Sequence, residues 1–143
     1  MQQLIICRGL PASGKSTFSK AWVLEDPEHR VRVCRDDIRK MLGKYWVPSR
    51  EDLVTRIENN VITQSLRENY SVIIDATNLR PKYKWANLAY VTKTVNRDTV
   101  QVSIKDFTDV SLETCIERDK LRTGDDHVGE EVIRNMYNKY LKK

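Results

Sequence analysis

The sequence predicts an α/β protein of three layers, with a small parallel sheet of about four strands flanked by helices and closed by a helical lid. Three observations carry that prediction. Short apolar runs such as "QLIICR" and "SVIID" stop at polar residues, as strands buried on both faces do. Segments with apolar residues at helical spacing stand between these runs, so strand and helix alternate. The first run leads directly into "GLPASGKST", a glycine-rich turn that opens onto a helix.

Taken in order, the first strand is expected from Gln3 to Arg8. After the turn, Phe18, Ala21, Trp22 and Glu25 follow helical spacing as far as the punctuation "EDPEH". "RVRV", from Arg30 to Val33, reads as a second strand, and "DDIRKML" starts a second helix. Ser49 and Asp52 form a capping-box-like pair ahead of a longer helix whose apolar stripe is Leu53, Val54, Ile57, Val61 and Leu66. "YSVIIDATN" is the clearest strand, and Pro81 then opens a helix with Trp85, Leu88, Ala89, Thr92 and Val95 on one face. "TVQVSIKDF" alternates as a fourth strand. Asp109 is expected to cap a helix through Arg118, and Ile133, Met136, Tyr137 and Tyr140 stripe a last one. Ligands of such a sheet gather at the carboxyl ends of its strands.

With 143 residues, 40% apolar and 31% charged, the chain reads as one soluble domain over residues 1–143. No apolar run approaches the ~20 residues needed to span a bilayer, and no signal-peptide pattern follows Met1, so a cytoplasmic protein without a membrane partner is expected. Cys7, Cys34 and Cys115 are odd in number and scattered, which suits buried free thiols rather than a disulfide framework or a CxxC metal site. The net charge of +5 suits a polyanionic partner, although a nucleotide alone also calls for cations.

Gly9, Gly14, Lys15 and Ser16 fill every fixed position of GxxxxGK[ST], which makes the expected fold that of a P-loop NTPase. The ATP-binding stretch is Gly9, Ala12, Ser13, Gly14, Lys15, Ser16 and Thr17. Backbone N–H groups and the positive end of the following helix converge there on phosphates. Lys15 is expected to reach the β and γ phosphates, Ser16 to place its hydroxyl on Mg²⁺, and Thr17 to cap the helix or touch the α phosphate.

The acceptor side starts at "CRDDIRK". Asp36 lies just beyond the second strand, where a carboxylate could serve as base for an attacking hydroxyl. Asp36 and Asp37 could equally be an N-cap and a first-turn acid. Arg39 follows Asp36 on the same helical face and could hold an acceptor phosphate. At the end of the third strand, Asp75 reads as a Walker-B-like carboxylate acting on Mg²⁺ through water, while Thr77 and Asn78 either bond a substrate or form the turn. "RPKYKW" mixes cations with aromatics, as a nucleic-acid surface does and as a solvated helix face also does. In "ERDKLRTGDD", Arg122 is the candidate bridge across the β and γ phosphates beneath a mobile lid, with Arg118 supporting it or merely complementing a helix dipole. His29 and His127 are expected in a loop and on the lid surface.

Together these segments resemble the 5′-hydroxyl polynucleotide kinases of phage end-repair systems. The resemblance runs through GLPASGKST, CRDDIR, IIDATNLRP, ERDKLRTG and EEVIRNMYNKY, nearly the whole chain. It implies that Asp36 is the general base for a polynucleotide 5′-OH and that Arg39 contacts the 3′-phosphate of the reacting end. Lys15, Ser16 and Arg122 become the triphosphate and metal contacts. In the phage enzyme an aspartate directly precedes the TN pair, whereas Ala76 stands there in this chain and Asp75 one position earlier. The phosphatase domain of the long phage enzymes has no counterpart in these residues, and no 3′-phosphatase activity is expected. The expected activity is thus transfer of the γ-phosphate of ATP to 5′-OH ends of RNA or DNA. A P-loop kinase of a small alcohol or nucleoside, and a nucleotide-binding regulatory module, are the alternatives.

Overall fold

Strands that are apolar at consecutive positions must bury both faces, and here two helical layers supply the cover. The computed structural model describes residues 1–80 and 98–143. The four strands are β1 (Gln2–Arg8), β2 (Arg30–Cys34), β3 (Ser71–Asp75) and β4 (Val100–Asp106). They form one sheet in the order β2-β3-β1-β4, all pairs parallel. The register sets Ile6 beside Ile74 and Cys34 beside Asp75. The carboxyl ends of β1, β2 and β3 therefore share one edge.

The period of two in the strands divides the core. Leu4, Ile6, Val72 and Ile74 pack on one face with Val54, Ile62 and Leu66 of α3 (Glu51–Arg67) and Ile38 of α2 (Arg35–Met41). Cys7 and Ile73 take the opposite face, against Trp22 and Phe18 of α1 (Lys15–Glu25). A third cluster lies beyond the strand ends, where Leu10 and Leu79 meet Cys115 and Ile116 of α4 (Leu112–Lys120) and Ile133 of α5 (Glu130–Tyr140). Met136, Tyr137 and Tyr140 pack against it, as their spacing predicts. No described helix is long and apolar enough to cross a membrane.

Several local expectations change. The chain enters α3 through a 3-10 turn at Pro48–Arg50, and the cap is Arg50 without a side-chain bond, so the Ser49–Asp52 pair does not open the helix. Ile62 rather than Val61 enters the core, and Leu53 and Val61 stay over 40% exposed, because adjacent apolar residues compete for one face and the sheet accepts one of them. Ser111, not Asp109, caps α4, its hydroxyl accepting from the Thr114 N–H at 3.1 Å. In β4, at the sheet's edge among the described residues, Val100 is buried and Gln101–Asp106 are exposed. Cys7 and Cys115 are buried and Cys34 half-buried, all as free thiols. The helix expected from Pro81, with Trp85, Leu88, Ala89, Thr92 and Val95, lies outside the described residues, as does most of "RPKYKW".

Candidate active site

Parallel β1 delivers the chain to the sheet edge at Arg8, and the next residues turn back in a tight loop ahead of α1. A Cβ on Gly9 would lie 2.7 Å from the Ser13 hydroxyl and 2.9 Å from Phe107 Cβ, so only glycine fits there. Gly14 has φ 107 and is the N-cap of α1, a conformation that L side chains avoid. That cap belongs to Gly14 and not to Thr17, which sits exposed in the first turn.

The Lys15 side chain curls over this loop and is buried, donating to the Gly9 carbonyl at 3.0 Å, the Leu10 carbonyl at 2.5 Å and the Ser13 hydroxyl at 3.3 Å. Burial lowers its pKa to about 8 against the attraction of Asp75, and the charge of Arg122 lowers it further. Among the described residues the Lys15 hydrogen bonds all go to neutral oxygens, which suits a buried ammonium to an incoming anion.

Asp75, at the end of β3, is buried and accepts from the Ser16 hydroxyl at 2.7 Å. Arg32 of β2 donates to the same Asp75 oxygen through Nε at 2.9 Å and also reaches Asp37 at 2.8 Å. The adjacent hydroxyl and carboxylate are hard oxygen donors, a set that fits Mg²⁺ completed by waters and phosphate oxygens. Among the described residues no cluster of three or more His, Cys, Asp or Glu side chains could hold a metal without such help.

Beyond β2, Cys34 is the N-cap of α2 with no side-chain cap bond, so Asp36 and Asp37 are first-turn acids rather than caps. The Asp36 side chain is 55% exposed and is steered from two sides, by the Tyr45 hydroxyl at 2.8 Å and Arg39 Nη1 at 2.6 Å. Burial and the Asp36 bond raise the Tyr45 pKa, which keeps its hydroxyl a donor. Arg39 is in turn gripped by Glu51 of α3 through Nε at 3.0 Å and Nη2 at 2.6 Å. The Arg39 hydrogen bonds hold the Glu51 pKa below its ordinary value. Asp36 thus stands at the outer end of a hydrogen-bonded chain anchored in α3.

The lid side contributes two arginines. Arg118, in the last turn of α4, points at the loop with Nη1 3.5 Å from the Ala12 carbonyl and 4.0 Å from where a Gly14 Cβ would be. Arg122 is partly buried one turn on, close enough for its charge to act at Lys15 and Asp126. The intervening Asp119 is 1% exposed and accepts from the Val128 and Gly129 N–H groups, both at 2.8 Å, pinning the lid loop to α4. His127, half-exposed on the lid, also leans on Asp119 at 3.3 Å. Lys40 of α2 meets Asp126 of the 3-10 turn Gly124–Asp126 at 2.5 Å, joining the lid to the helix that carries Asp36. Asp119→Ala would leave two partly buried amides without their carboxylate and is expected to cost on the order of 1–3 kcal/mol in urea unfolding. A change under about 0.5 kcal/mol would mean that the lid loop does not depend on this carboxylate.

Thr77 and Asn78 act as turn formers. The Thr77 carbonyl accepts from the Gly9 N–H at 3.0 Å, and Asn78, at φ 46, donates to the Cys7 carbonyl at 2.7 Å, so this turn braces the phosphate loop from behind. Sequence reasoning missed Arg32, Tyr45, Glu51, Phe107 and Asp119. Arg32 alone left a trace, as a cation inside an otherwise apolar strand; the others become site residues only through contacts across the fold.

The profile of the AAA domain family matches residues 4–142. Over 139 residues the sequence is 32% identical to the L-seryl-tRNA(Sec) kinase of Methanococcus maripaludis, covering 96% of this chain and 52% of that protein. It is 26% identical over 164 residues to the "Putative bifunctional polynucleotide kinase/RNA ligase" of Autographa californica nuclear polyhedrosis virus, covering 99% of this chain and 21% of that one. Among solved structures, a chain of the Pnkp1/Rnl/Hen1 RNA repair complex superposes with a TM-score of 0.76 at 28% identity, over 97% of this chain and 44% of the other. The chain spans about half the length of the first of these curated relatives and less of the second.

Proposed function

We propose, from the premise that this chain belongs to the AAA domain family, that it transfers the γ-phosphate of ATP, or of another nucleoside triphosphate, to the 5′-hydroxyl of an RNA or DNA end. The carrying observation is the braced Asp36 at the sheet edge that also bears the phosphate loop, with Tyr45 and Arg39 both directed at its Oδ1. In this reading Asp36 accepts the hydroxyl proton as the 5′-oxygen bonds to the γ-phosphorus and the bond to the β-phosphate oxygen breaks, releasing ADP. Lys15 and Arg122 meet the charge on the transferring group, with Arg118 beside the loop, and the loop amides hold the donor in line. Ser16 and Asp75 would hold Mg²⁺, which neutralises phosphate charge when bound. Arg39 keeps its role toward the acceptor's 3′-phosphate, sharing its guanidinium between that anion and Asp36. Thr77 and Asn78 support the loop from behind, and any contact of theirs with the acceptor would use what the turn leaves over.

The polynucleotide kinase and RNA repair relatives support an acceptor that is a nucleic acid. The 32% identical relative favours a second reading, in which the hydroxyl is carried on the aminoacyl group of a tRNA. A nucleoside or other small alcohol is the third. Salt separates the polyanions from the small acceptor: the logarithm of the apparent affinity for a 5′-OH oligonucleotide is expected to fall linearly with the logarithm of salt concentration, with a slope of about 0.7 per phosphate contacted. Flat salt dependence, with a free nucleoside phosphorylated as well as the oligonucleotide, would exclude the polynucleotide reading. Charged seryl-tRNA accepting label on its serine, with 5′-OH ends unlabelled, would establish the second.

A further inference from the structure

The turn that supplies Tyr45 carries features that the transfer chemistry does not use. Lys44, Tyr45 and Trp46 are consecutive, between α2 and the 3-10 turn ahead of α3. Trp46 is 54% exposed, unusual for the largest apolar side chain, and its indole N–H has no hydrogen-bond partner among the described residues. Its ring lies 5.6 Å from the guanidinium carbon of Arg39, the same group that donates to Asp36 at 2.6 Å. Lys44 is exposed and makes no ion pair among the described residues. A single guanidinium therefore spans from the candidate base to an exposed aromatic face, with the exposed Lys44 ammonium next to it.

We infer that Trp46 is a stacking platform for the base at the acceptor's 5′ end, with Lys44 beside it for the backbone that follows. This rests on the polynucleotide reading above. The occupant follows from the chemistry of the turn. A nucleotide whose 5′-oxygen faces Asp36 carries its base on the far side of its sugar, toward the side on which Arg39 joins Asp36 to the Trp46 ring, and its π-face matches an indole. Phosphates one nucleotide on match the exposed Lys44 ammonium. An apolar peptide segment would bury Lys44 without supplying an anion to meet it. Stacking of this kind is sequence-tolerant, because every base presents a π-face, so the platform would hold an end without selecting its identity.

The test compares two single-stranded 5′-OH oligonucleotides, alike except that one has an abasic sugar at its 5′ terminus. Their binding is followed by anisotropy of a 3′-terminal dye and their phosphorylation by labelled ATP. Trp46→Ala is expected to weaken binding of the base-bearing oligonucleotide about 5- to 150-fold, raising its KM in step, while Trp46→Phe recovers most of the loss. The abasic oligonucleotide should bind wild type as weakly as Trp46→Ala binds the base-bearing one, and the substitution should change its binding less than twofold. Equal losses on both oligonucleotides, or no loss on either, overturn the platform while wild-type labelling leaves the polynucleotide reading standing. If wild type neither binds nor labels either oligonucleotide, both inferences fall together. An unchanged KM for ATP and an unchanged urea midpoint in Trp46→Ala exclude a folding defect as the source of the loss.

Discussion

Asp36→Asn is expected to lower the rate of transfer to a 5′-OH end by about 10²–10⁴, with the KM for ATP changed less than threefold. The amide keeps the size of the side chain and can still accept from Tyr45 and Arg39, so the substitution removes basicity and leaves the bracing largely in place. Two structural facts make this a clean experiment. The Asp36 side chain is more than half exposed and outside the core clusters, so folding does not depend on it. Its neighbour Asp37 faces Arg32 and cannot substitute for it without breaking that pair. An Asp36→Asn protein that kept full activity would remove the general base from the account and favour a nucleotide-binding module or a different acceptor site.

The second large effect concerns Lys15. Lys15→Met should lower transfer by about 10²–10³ through loss of charge at the β and γ phosphates. It should also change the pH dependence of nucleotide binding. Because burial lowers the Lys15 pKa to about 8, the ammonium is fully charged below that pH and lost as pH rises through it. A triphosphate binds the charged form, so its affinity in the wild type should fall above pH 8, toward tenfold per pH unit, and Lys15→Met should lack that limb. The stability sign is the opposite of a salt-bridged lysine. A folded-state pKa below the unfolded 10.5 means that the unfolded chain binds more protons between about 8 and 10.5. Wild type should therefore gain stability relative to Lys15→Met as pH rises through that window. Affinity flat with pH in both proteins would show that the ammonium does not meet the phosphates.

Much of this architecture is legible in the sequence because it rests on local rules. The strands are continuous apolar runs whose alternate residues face the two helical layers, and the phosphate loop needs glycine at positions where a Cβ or a negative φ cannot be accommodated. Helix starts are less legible: Asp109 and Ser111 both offer a capping oxygen, and only the path of the chain out of β4 decides between them. Side chains that act through distant partners are least legible. Glu51 holds Arg39 across 12 residues, Arg32 reaches Asp75 across 43, and Lys40 meets Asp126 across 86. Position relative to a strand end marks Asp36 as a base or a first-turn acid; the bracing by Tyr45 and Arg39 supports the base, and nothing in "GKYW" announces it.

The order of dependence runs from the loop outward. Phe107 and the Thr77–Asn78 turn press the phosphate loop from two sides, α4 brings Arg118 over it, and the Lys40–Asp126 pair ties the lid to α2. That exposed pair contributes little to stability by itself. Its position ties the 3-10 turn Gly124–Asp126 to the helix that carries Asp36.

The most direct measurement is end-labelling of matched 5′-OH RNA and DNA oligonucleotides with ATP carrying a labelled γ-phosphate, followed by complete digestion to mononucleotides. The label is expected in the nucleoside 5′-monophosphate from the first position, and Asp36→Ala is expected to abolish it while ATP still binds. Label released only as inorganic phosphate, or found on a small alcohol with both oligonucleotides unlabelled, would contradict it.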